Sequence, residues 1–313
     1  MRIVITGANG AVGQAMLRVG AGAGADTFVA AVRSERAVEE IRPLLGEKAS
    51  AVRISYDDPQ SLDAAFRGAS AIVHLAGILM ESPGSNYEQA NVVSTRNVVE
   101  AAKRCGAGKF VFVSAVGADE TSKNGYFRSK GQAEAIVRGS GLKYSILRTP
   151  MLLGPVTKGG AALRRNAGGQ KAKMIGGGRN LQQPLYVDDL ARASLAASQP
   201  AIASNLTLDV VGPVSLPDRE LVERAARMLG HEVRISSISK GLLCFVLGMK
   251  RKFSGPGFSP DVVEVIMADT RLDPQPAARA LGIQLTGVDE MIKESLDAST
   301  RIENKKMSEA KDE

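Results

Sequence analysis

A chain of 313 residues, 44% hydrophobic and 4% aromatic with a net charge of +7, fits one large domain or two modest ones around a substantial core. It holds no run near the ~20 apolar residues of a spanning helix, no signal segment ahead of the first strand, no metal-ligand spacing and no basic stripe interleaved with aromatics, so no nucleic-acid partner is expected. Its two cysteines, Cys105 and Cys244, imply no disulfide framework and point to a cytoplasmic, reducing location, and the positive balance suits an anionic ligand or a membrane surface.

Arg2-Ile3-Val4-Ile5 reads as a short strand, and Ala15, Met16, Leu17 and Val19 give a helical apolar pattern soon after it. Between them lies Thr6-Gly7-Ala8-Asn9-Gly10-Ala11-Val12-Gly13. A glycine turn between strand and helix is the setting of a dinucleotide fingerprint. Gly7 takes the tight turn, Gly10 lets the backbone approach a pyrophosphate, and Gly13 lets the helix lie close on the sheet. The unpaired N–H groups of the helix start then face the phosphates. Gly7, Asn9, Gly10, Ala11, Val12 and Gly13 are therefore the expected contacts. A tight turn without a ligand is the bland alternative. The Gly-x-x-Gly-x-x-Gly spacing resembles the short-chain dehydrogenase/reductase superfamily, especially its extended and atypical members.

Strand-like runs recur at 2–6, 27–33, 50–54, 70–76, 108–114 and 142–148, with helical patterns near 11–20, 36–45, 59–66, 86–104 and 126–138. Repeated strand–helix units predict an α/β fold: a Rossmann-type, doubly wound parallel sheet with its ligand at the carboxyl edge. Residues 1–153 form the expected dinucleotide-binding domain, completed by about 184–211. Residues 154–183 and 212–302 form a smaller, mostly helical substrate lobe, and 303–313 a disordered polar tail. Gly22-Ala23-Gly24-Ala25-Asp26 reads as a loose connection.

Strand two ends at Val32-Arg33-Ser34, where an NAD-preferring site would carry Asp or Glu for the ribose hydroxyls. Arg33, with Arg36 nearby, would instead meet a 2′-phosphate. Hydrogen bonds to charged groups contribute roughly 1.5–3 kcal/mol, about ten- to a hundredfold in affinity. NADP(H) is thus the expected cofactor and NAD(H) the alternative. A solvated arginine at a loop edge is the plain reading, and Glu35 is close in sequence. Asp58 reads as a helix N-cap with Pro59 at the first helical position. The resemblance implies an adenine contact at the end of this strand, where Ser55 and Asp57 stand. His74 reads as a locally bonded histidine. Ala76-Gly77 matches the segment that borders the nicotinamide-side ribose in the family. Asn91-Val92-Val93-Ser94-Thr95-Arg96-Asn97 is similar to the Asn-x-x-Gly-Thr-x-Asn helix of extended members.

Tyr126 and Lys130 are four apart, so one helical face carries both. A free phenol, with a pKa near 10, is a poor base at neutral pH, but a nearby lysine cation favours its phenolate. The resemblance implies that Tyr126 exchanges a proton with the substrate oxygen and that Lys130 holds the nicotinamide ribose. It implies too that a strand-end serine, Ser114, helps hold the carbonyl; aligned as in sugar-nucleotide epimerases, that serine would fall on Ala115. Arg128, Ser129 and Glu134 complete the Tyr-x-Arg-Ser-Lys-x-x-x-Glu form of atypical members. Leu147-Arg148-Thr149-Pro150 is similar to the family segment that borders the nicotinamide, which makes Pro150 a cofactor contact. Val187-Asp188-Asp189-Leu190-Ala191 recurs across extended members, and Asp188 or Asp189 is expected to cap a helix over 189–198 and tie the lobes. Gln182-Gln183 stand where epimerases carry a cation against the substrate diphosphate.

In the lobe, the apolar run Gly241–Met249 is flanked by Lys240 and by Lys250-Arg251-Lys252. A buried helix is the plainer reading. An interfacial helix that rests on a membrane surface or membrane complex, peripheral at the inner membrane, is the alternative. Over about residues 1–200 the pattern is closest to the atypical short-chain dehydrogenase/reductases of the NDUFA9-like complex I subunit group. That resemblance implies an NADP(H)-dependent oxidoreductase acting on a small-molecule carbonyl or alcohol. Its alternatives are a non-catalytic, cofactor-holding subunit or assembly protein of a membrane complex, and a nucleotide-sugar epimerase or dehydratase.

Overall fold

The computed structural model describes residues 1–21, 26–254 and 256–297. Of the loose connection expected at 22–26, residues 22–25 lie outside the described residues, as does the tail expected from 303; Asp26 pairs with the amino group of Met1. The first half alternates β1 (Arg2–Thr6), α1 (Ala11–Ala21), β2 (Thr27–Val32), α2 (Glu35–Ile41), β3 (Ala49–Arg53), α3 (Pro59–Phe66), β4 (Ala71–His74), α4 (Ser94–Arg104), β5 (Lys109–Ala115), α5 (Gly125–Arg138) and β6 (Tyr144–Thr149). There follow β7 (Leu152–Leu153), α6 (Lys158–Ala167), β8 (Lys171–Ile175), β9 (Leu181–Gln182), β10 (Leu185–Tyr186), α7 (Val187–Ser198) and β11 (Leu206–Asp209). The remainder is β12 (Leu216–Pro217), α8 (Asp218–Met228), β13 (Arg234–Ile238), α9 (Lys240–Ser254), α10 (Pro260–Met267), α11 (Gln275–Leu281) and a helix over 288–297.

Seven strands form one parallel sheet in the order β11-β6-β5-β4-β1-β2-β3. Side chains alternate across each strand, so each face carries its own core. Ile3, Ile5, Val73, Val111 and Leu147 pack against Ala15, Met16 and Leu17 of α1 and Leu190 of α7. Val4, Ile72, Phe110, Phe112 and Ile146 pack against Leu62 of α3, Val98 of α4 and Val137 of α5. The Rossmann-type expectation holds, and β11 adds the seventh strand beside β6.

Local departures have local causes. The pattern near 36–45 ends as an α-helix at Ile41 and tightens to a 3₁₀ turn over Arg42–Leu44, because Pro43 lacks the N–H that would continue the helix. Asp58 caps α3 by accepting from the Gln60 N–H at 3.0 Å, with Pro59 at the first helical position, as expected. The 86–104 segment opens as a π-helix over Glu88–Val93 before α4 begins. The lobe is less purely helical than expected. β13 pairs with β8 in parallel, and Ala172 and Met174 are buried while Lys171 and Lys173 face out.

Neither aspartate of Val187-Asp188-Asp189 caps α7, because the helix starts at Val187 and both lie inside its first turn. They tie elements together instead. Asp188 pairs with Arg18 of α1. Buried Asp189 accepts from the Thr286 N–H at 2.7 Å and its hydroxyl at 2.8 Å, and pairs with Arg192. Gln183 donates to the Gly212 and Leu272 carbonyls, and Gln182 donates to that of Ile266. The plainer expectation for α9 fails: its apolar face is exposed, as Leu242 and Phe245 are. No helix among the described residues is long and apolar enough to cross a membrane.

Candidate functional site

The carboxyl ends of β1, β2, β3 and β4 open on a cleft of about 480 Å³. Gly7, Asn9 and Gly10 line it from the first turn, Arg33 from the end of β2, and Ser55, Tyr56 and Asp57 from the end of β3. Ala76 and Gly77 line it beyond β4, and Gln89, Ala90 and Ser94 from the following helix. The expected residues Gly7, Asn9, Gly10, Arg33, Asp57, Ala76 and Gly77 are thus brought to one cavity.

The first turn is built around its glycines. Gly7 has φ +74°, and a Cβ there would lie 3.0 Å from the Ala76 backbone nitrogen. A side chain would therefore be strained and would also close the approach between β1 and β4. Gly10 N–H donates to the Gly7 carbonyl at 3.0 Å. A Cβ on Gly13 would fall 2.4 Å from the Ala8 carbonyl oxygen. Gly13 therefore lets α1 close onto its own turn, whereas the sequence suggested an approach to the sheet. Ala11, Val12 and Gly13 form the first turn of α1 and do not line the cleft wall. Their place at a helix N-terminus directs N–H groups and positive dipole toward an anion.

Across the cleft, Arg33 is exposed. Glu35, close in sequence, pairs with Arg53 at 3.1 Å, and no carboxylate pairs with Arg33 among the described residues. Tyr56 was not anticipated from the sequence. Burial pushes its phenol up to about 12, opposed by the Thr6 hydroxyl and the Arg33 charge. Its backbone carbonyl accepts from the Asn97 side chain at 2.9 Å. His74 is fully buried, with Nδ1 2.6 Å from the Thr6 hydroxyl and Nε2 3.2 Å from that of Thr95, and it stacks on Phe112. Burial, helped by the Lys130 charge, lowers its pKa to about 3, so it is a neutral packing residue.

Asn91, within the π-helix, clamps the chain that leaves β4. Its Oδ1 accepts from Ile78 N–H at 2.7 Å, and its Nδ2 donates to the Ile78 carbonyl at 3.1 Å and to Ser129 Oγ at 2.9 Å. A π-turn here shifts the helix register so that this side chain reaches the loop, a common arrangement at functional sites. The same clamp joins the cleft to α5. A Cβ on Gly77 would lie 3.0 Å from Asn91 Oδ1 and 3.8 Å from Lys130 Nζ. The loop beyond Ile78 turns back at Ser82-Pro83-Gly84-Ser85, where Gly84 has φ +80° and Ser82 and Ser85 exchange backbone bonds at 2.9 Å. Gly84 and Ser85 also line the cleft. The Pro-Gly pair was a legible turn signal, but nothing in the sequence aimed it at this cavity.

Asn124 caps α5 through its Oδ1, which accepts from Tyr126 and Phe127 N–H. Tyr126 is half-buried beside Tyr87, and burial together with the Tyr87 charge raises its phenol above the ordinary value. Lys130 is buried, donates to the Val113 carbonyl at 2.8 Å and lies 4.3 Å above the Phe112 ring. Burial lowers its pKa to about 8, opposed by the Glu134 charge. Neither side chain lines the 480 Å³ cavity; Lys130 stands beyond its Gly77 edge. Ser114 does not open on it either. Its hydroxyl is buried beside the Glu134 carboxylate, which it helps keep ionised, and it makes no well-aligned hydrogen bond. The physical reason is strand alternation: Ser114 shares the face of Phe110 and Phe112, beneath α5. Pro150 follows β6 next to Thr149, opposite Ala115, and does not line the cavity.

A family model described as NAD(P)H-binding matches residues 7–176. A ceramide reductase of Caulobacter vibrioides is 25% identical over 177 residues, 56% of this chain. The mitochondrial NADH dehydrogenase (ubiquinone) 1 alpha subcomplex subunit 9 of Arabidopsis thaliana is 26% identical over 226 residues, 70% of this chain. The chain spans 56% of the length of each of these relatives. A solved structure of UDP-glucuronic acid 4-epimerase from Bacillus cereus, in complex with UDP-glucuronic acid and NAD, shares the fold. Its TM-score is 0.76 over 96% of this chain and all of that one, at 17% identity.

Proposed function

Because this chain belongs to the NAD(P)H-binding family, we propose that it is an NADP(H)-dependent oxidoreductase of the atypical short-chain dehydrogenase/reductase type, acting on a carbonyl or alcohol. The observation that carries the reading is that one cleft sets a glycine turn across from an arginine with no carboxylate partner among the described residues. The residues fit the group. Gly7 and Gly10 put bare backbone at the cleft wall, the start of α1 offers N–H donors to a pyrophosphate, and Arg33 offers a guanidinium to a 2′-phosphate. Ser55, Tyr56 and Asp57 would border the adenine, and Lys130 with Gly77 the second ribose.

When bound, the nicotinamide supplies or takes the hydride. The chain's own part is the proton. Tyr126 is held as a phenol by its burial, which suits donation to a carbonyl oxygen that becomes an alcohol. Lys130, one helical turn on, supplies the positive charge that steadies the phenolate left behind. With Ser114 turned to Glu134, the carbonyl oxygen depends on Tyr126 alone among these three.

That placement of Ser114 favours one second reading: a cofactor-holding subunit or assembly protein without turnover. A nucleotide-sugar epimerase or dehydratase has the support of fold likeness and of partial sequence matches to sugar epimerases, 31% identical over 155 residues in one case. It is disfavoured because the Gln182 and Gln183 amides are spent on backbone carbonyls where a diphosphate would need a cation.

Equilibrium titration with NADP(H) and NAD(H) tests the first reading. Binding of NADP(H) at micromolar concentration is expected, and no association of either at millimolar concentration ends it. Tyr126→Phe then separates the readings. The oxidoreductase loses turnover of a carbonyl panel while keeping NADPH affinity. A subunit without turnover shows no activity for the substitution to remove.

A further inference from the structure

The helix α9 has no use in the chemistry above, yet it departs furthest from the rule that apolar side chains are covered. Leu242, Phe245, Val246 and Met249 are exposed to 64, 66, 51 and 49% of their full accessible surface. Their spacing is i, i+3, i+4, i+7, so they form one stripe along a helix that packs on α10. A stripe of four large exposed apolar residues is an interaction face rather than scattered surface. Within its own stretch of sequence the charge is one-signed, the carboxylates of α10 (Asp261 and Glu264) being bonded to Asn124 and Gly125. Arg234, Lys240, Lys250, Arg251 and Lys252 all fall between residues 233 and 260, and no Asp or Glu does.

We propose that α9 seats this protein on an anionic lipid surface, with the stripe in the acyl boundary and the flanking cations at the headgroups. Fifteen residues at ~1.5 Å each make a helix of about 22 Å, too short to span but long enough to lie flat. Apolar burial and cation attraction act together there, and each alone gives only weak adsorption. A protein partner would need a carboxylate-rich surface around an apolar groove, and a second copy would set cation against cation at the same helix ends. The anionic bilayer meets both features at once. The seat also lies next to the site described above. Asn124 and Gly125, just ahead of Tyr126, bond to Asp261 and Glu264 of α10, the helix on which α9 packs.

The test is sedimentation of the full chain with vesicles of phosphatidylcholine alone and of phosphatidylcholine with one-third phosphatidylglycerol. Co-sedimentation with the anionic vesicles, at least tenfold above that with the neutral ones and weakened by 0.5 M salt, is expected. Leu242→Gln with Phe245→Gln, and separately Lys250→Glu with Lys252→Glu, should each lower it at least tenfold. Far-UV circular dichroism and the thermal midpoint should stay unchanged. Failure to bind anionic vesicles overturns the proposal, as does binding that survives both double variants. So does light scattering that finds a dimer which the Leu242/Phe245 variant makes monomeric without any lipid binding, since a second copy then covers the stripe. None of these outcomes depends on cofactor affinity or turnover.

Discussion

Glu134 and Arg148 meet fork to fork, Nε to Oε1 at 2.9 Å and Nη2 to Oε2 at 2.7 Å, with the carboxylate fully buried. They join α5, which carries Tyr126 and Lys130, to β6, which leads into Pro150. Arg138 adds a third bond at 2.9 Å. Burial alone would raise the Glu134 pKa, and the bonds from Arg148 and Arg138, helped by the nearby Ser114 hydroxyl, outweigh it, so the net shift is downward. A carboxylate with a depressed folded value contributes stability above its unfolded value of about 4.3 and loses it as pH falls through the folded one. Arg148→Met leaves this buried charge with Arg138 and Ser114 alone. The expected loss approaches the roughly 3–5 kcal/mol of a broken buried pair. Urea midpoints at pH 7 check it, and the gap between wild type and variant should shrink toward pH 3.

Arg33→Ser should raise the NADP(H) dissociation constant about tenfold, the lower end for a charge-assisted bond, because solvent screens this exposed side chain. NAD(H) affinity should change less than threefold. Equal losses for both cofactors would contradict a 2′-phosphate contact at Arg33.

Gly13→Ala should be the most damaging substitution in the first turn. The added carbon would sit 2.4 Å from a backbone oxygen, so α1 has to move. Gly7→Ala keeps more of the fold, at about 1–3 kcal/mol for a side chain at positive φ, but it intrudes on Ala76. Thermal unfolding with and without NADPH should find the cofactor's stabilising shift reduced in both.

His74 makes folding sensitive to mild acid. Its folded pKa, near 3, lies below the unfolded value of 6.5, so its contribution is complete above pH 6.5 and fades as pH falls toward 3. The slope is at most about 1.4 kcal/mol per pH unit. His74→Gln, which can still bond Thr6 and Thr95, should flatten the stability profile between pH 6.5 and 5. An unchanged slope would mean that His74 already takes up a proton in the folded state.

Asp189→Asn should loosen the lobe from α7 because it weakens the bonds to Thr286. Faster amide exchange at 283–290, with exchange in β1 and β4 unchanged, is the expected signature.

Much of the molecule was legible in the chain because its causes are local. Glycine spacing after a strand, Pro59 behind Asp58, and the i, i+4 relation of Tyr126 and Lys130 depend on a few consecutive residues. The alternation of strands and helices followed from apolar period alone, and the parallel sheet with it. Ser114 was harder. Its motif could be read, but its direction depends on pleat phase relative to α5, a non-local quantity. Tyr56, Ser85 and the Asn91 clamp were unreadable for the same reason: each acts on a partner from another crossover or loop. Likewise, α9 could be recognised as apolar and basic-ended, but sequence cannot count the neighbours that would have covered it.

The sequence by itself determined the fold class, the first turn and the face that holds the tyrosine and lysine, since short-range sterics and periodicity act within one segment. Only the tertiary structure decided which hydroxyls face the cavity, which charges are already taken and which apolar stripe is left bare, because those depend on what distant segments bring alongside.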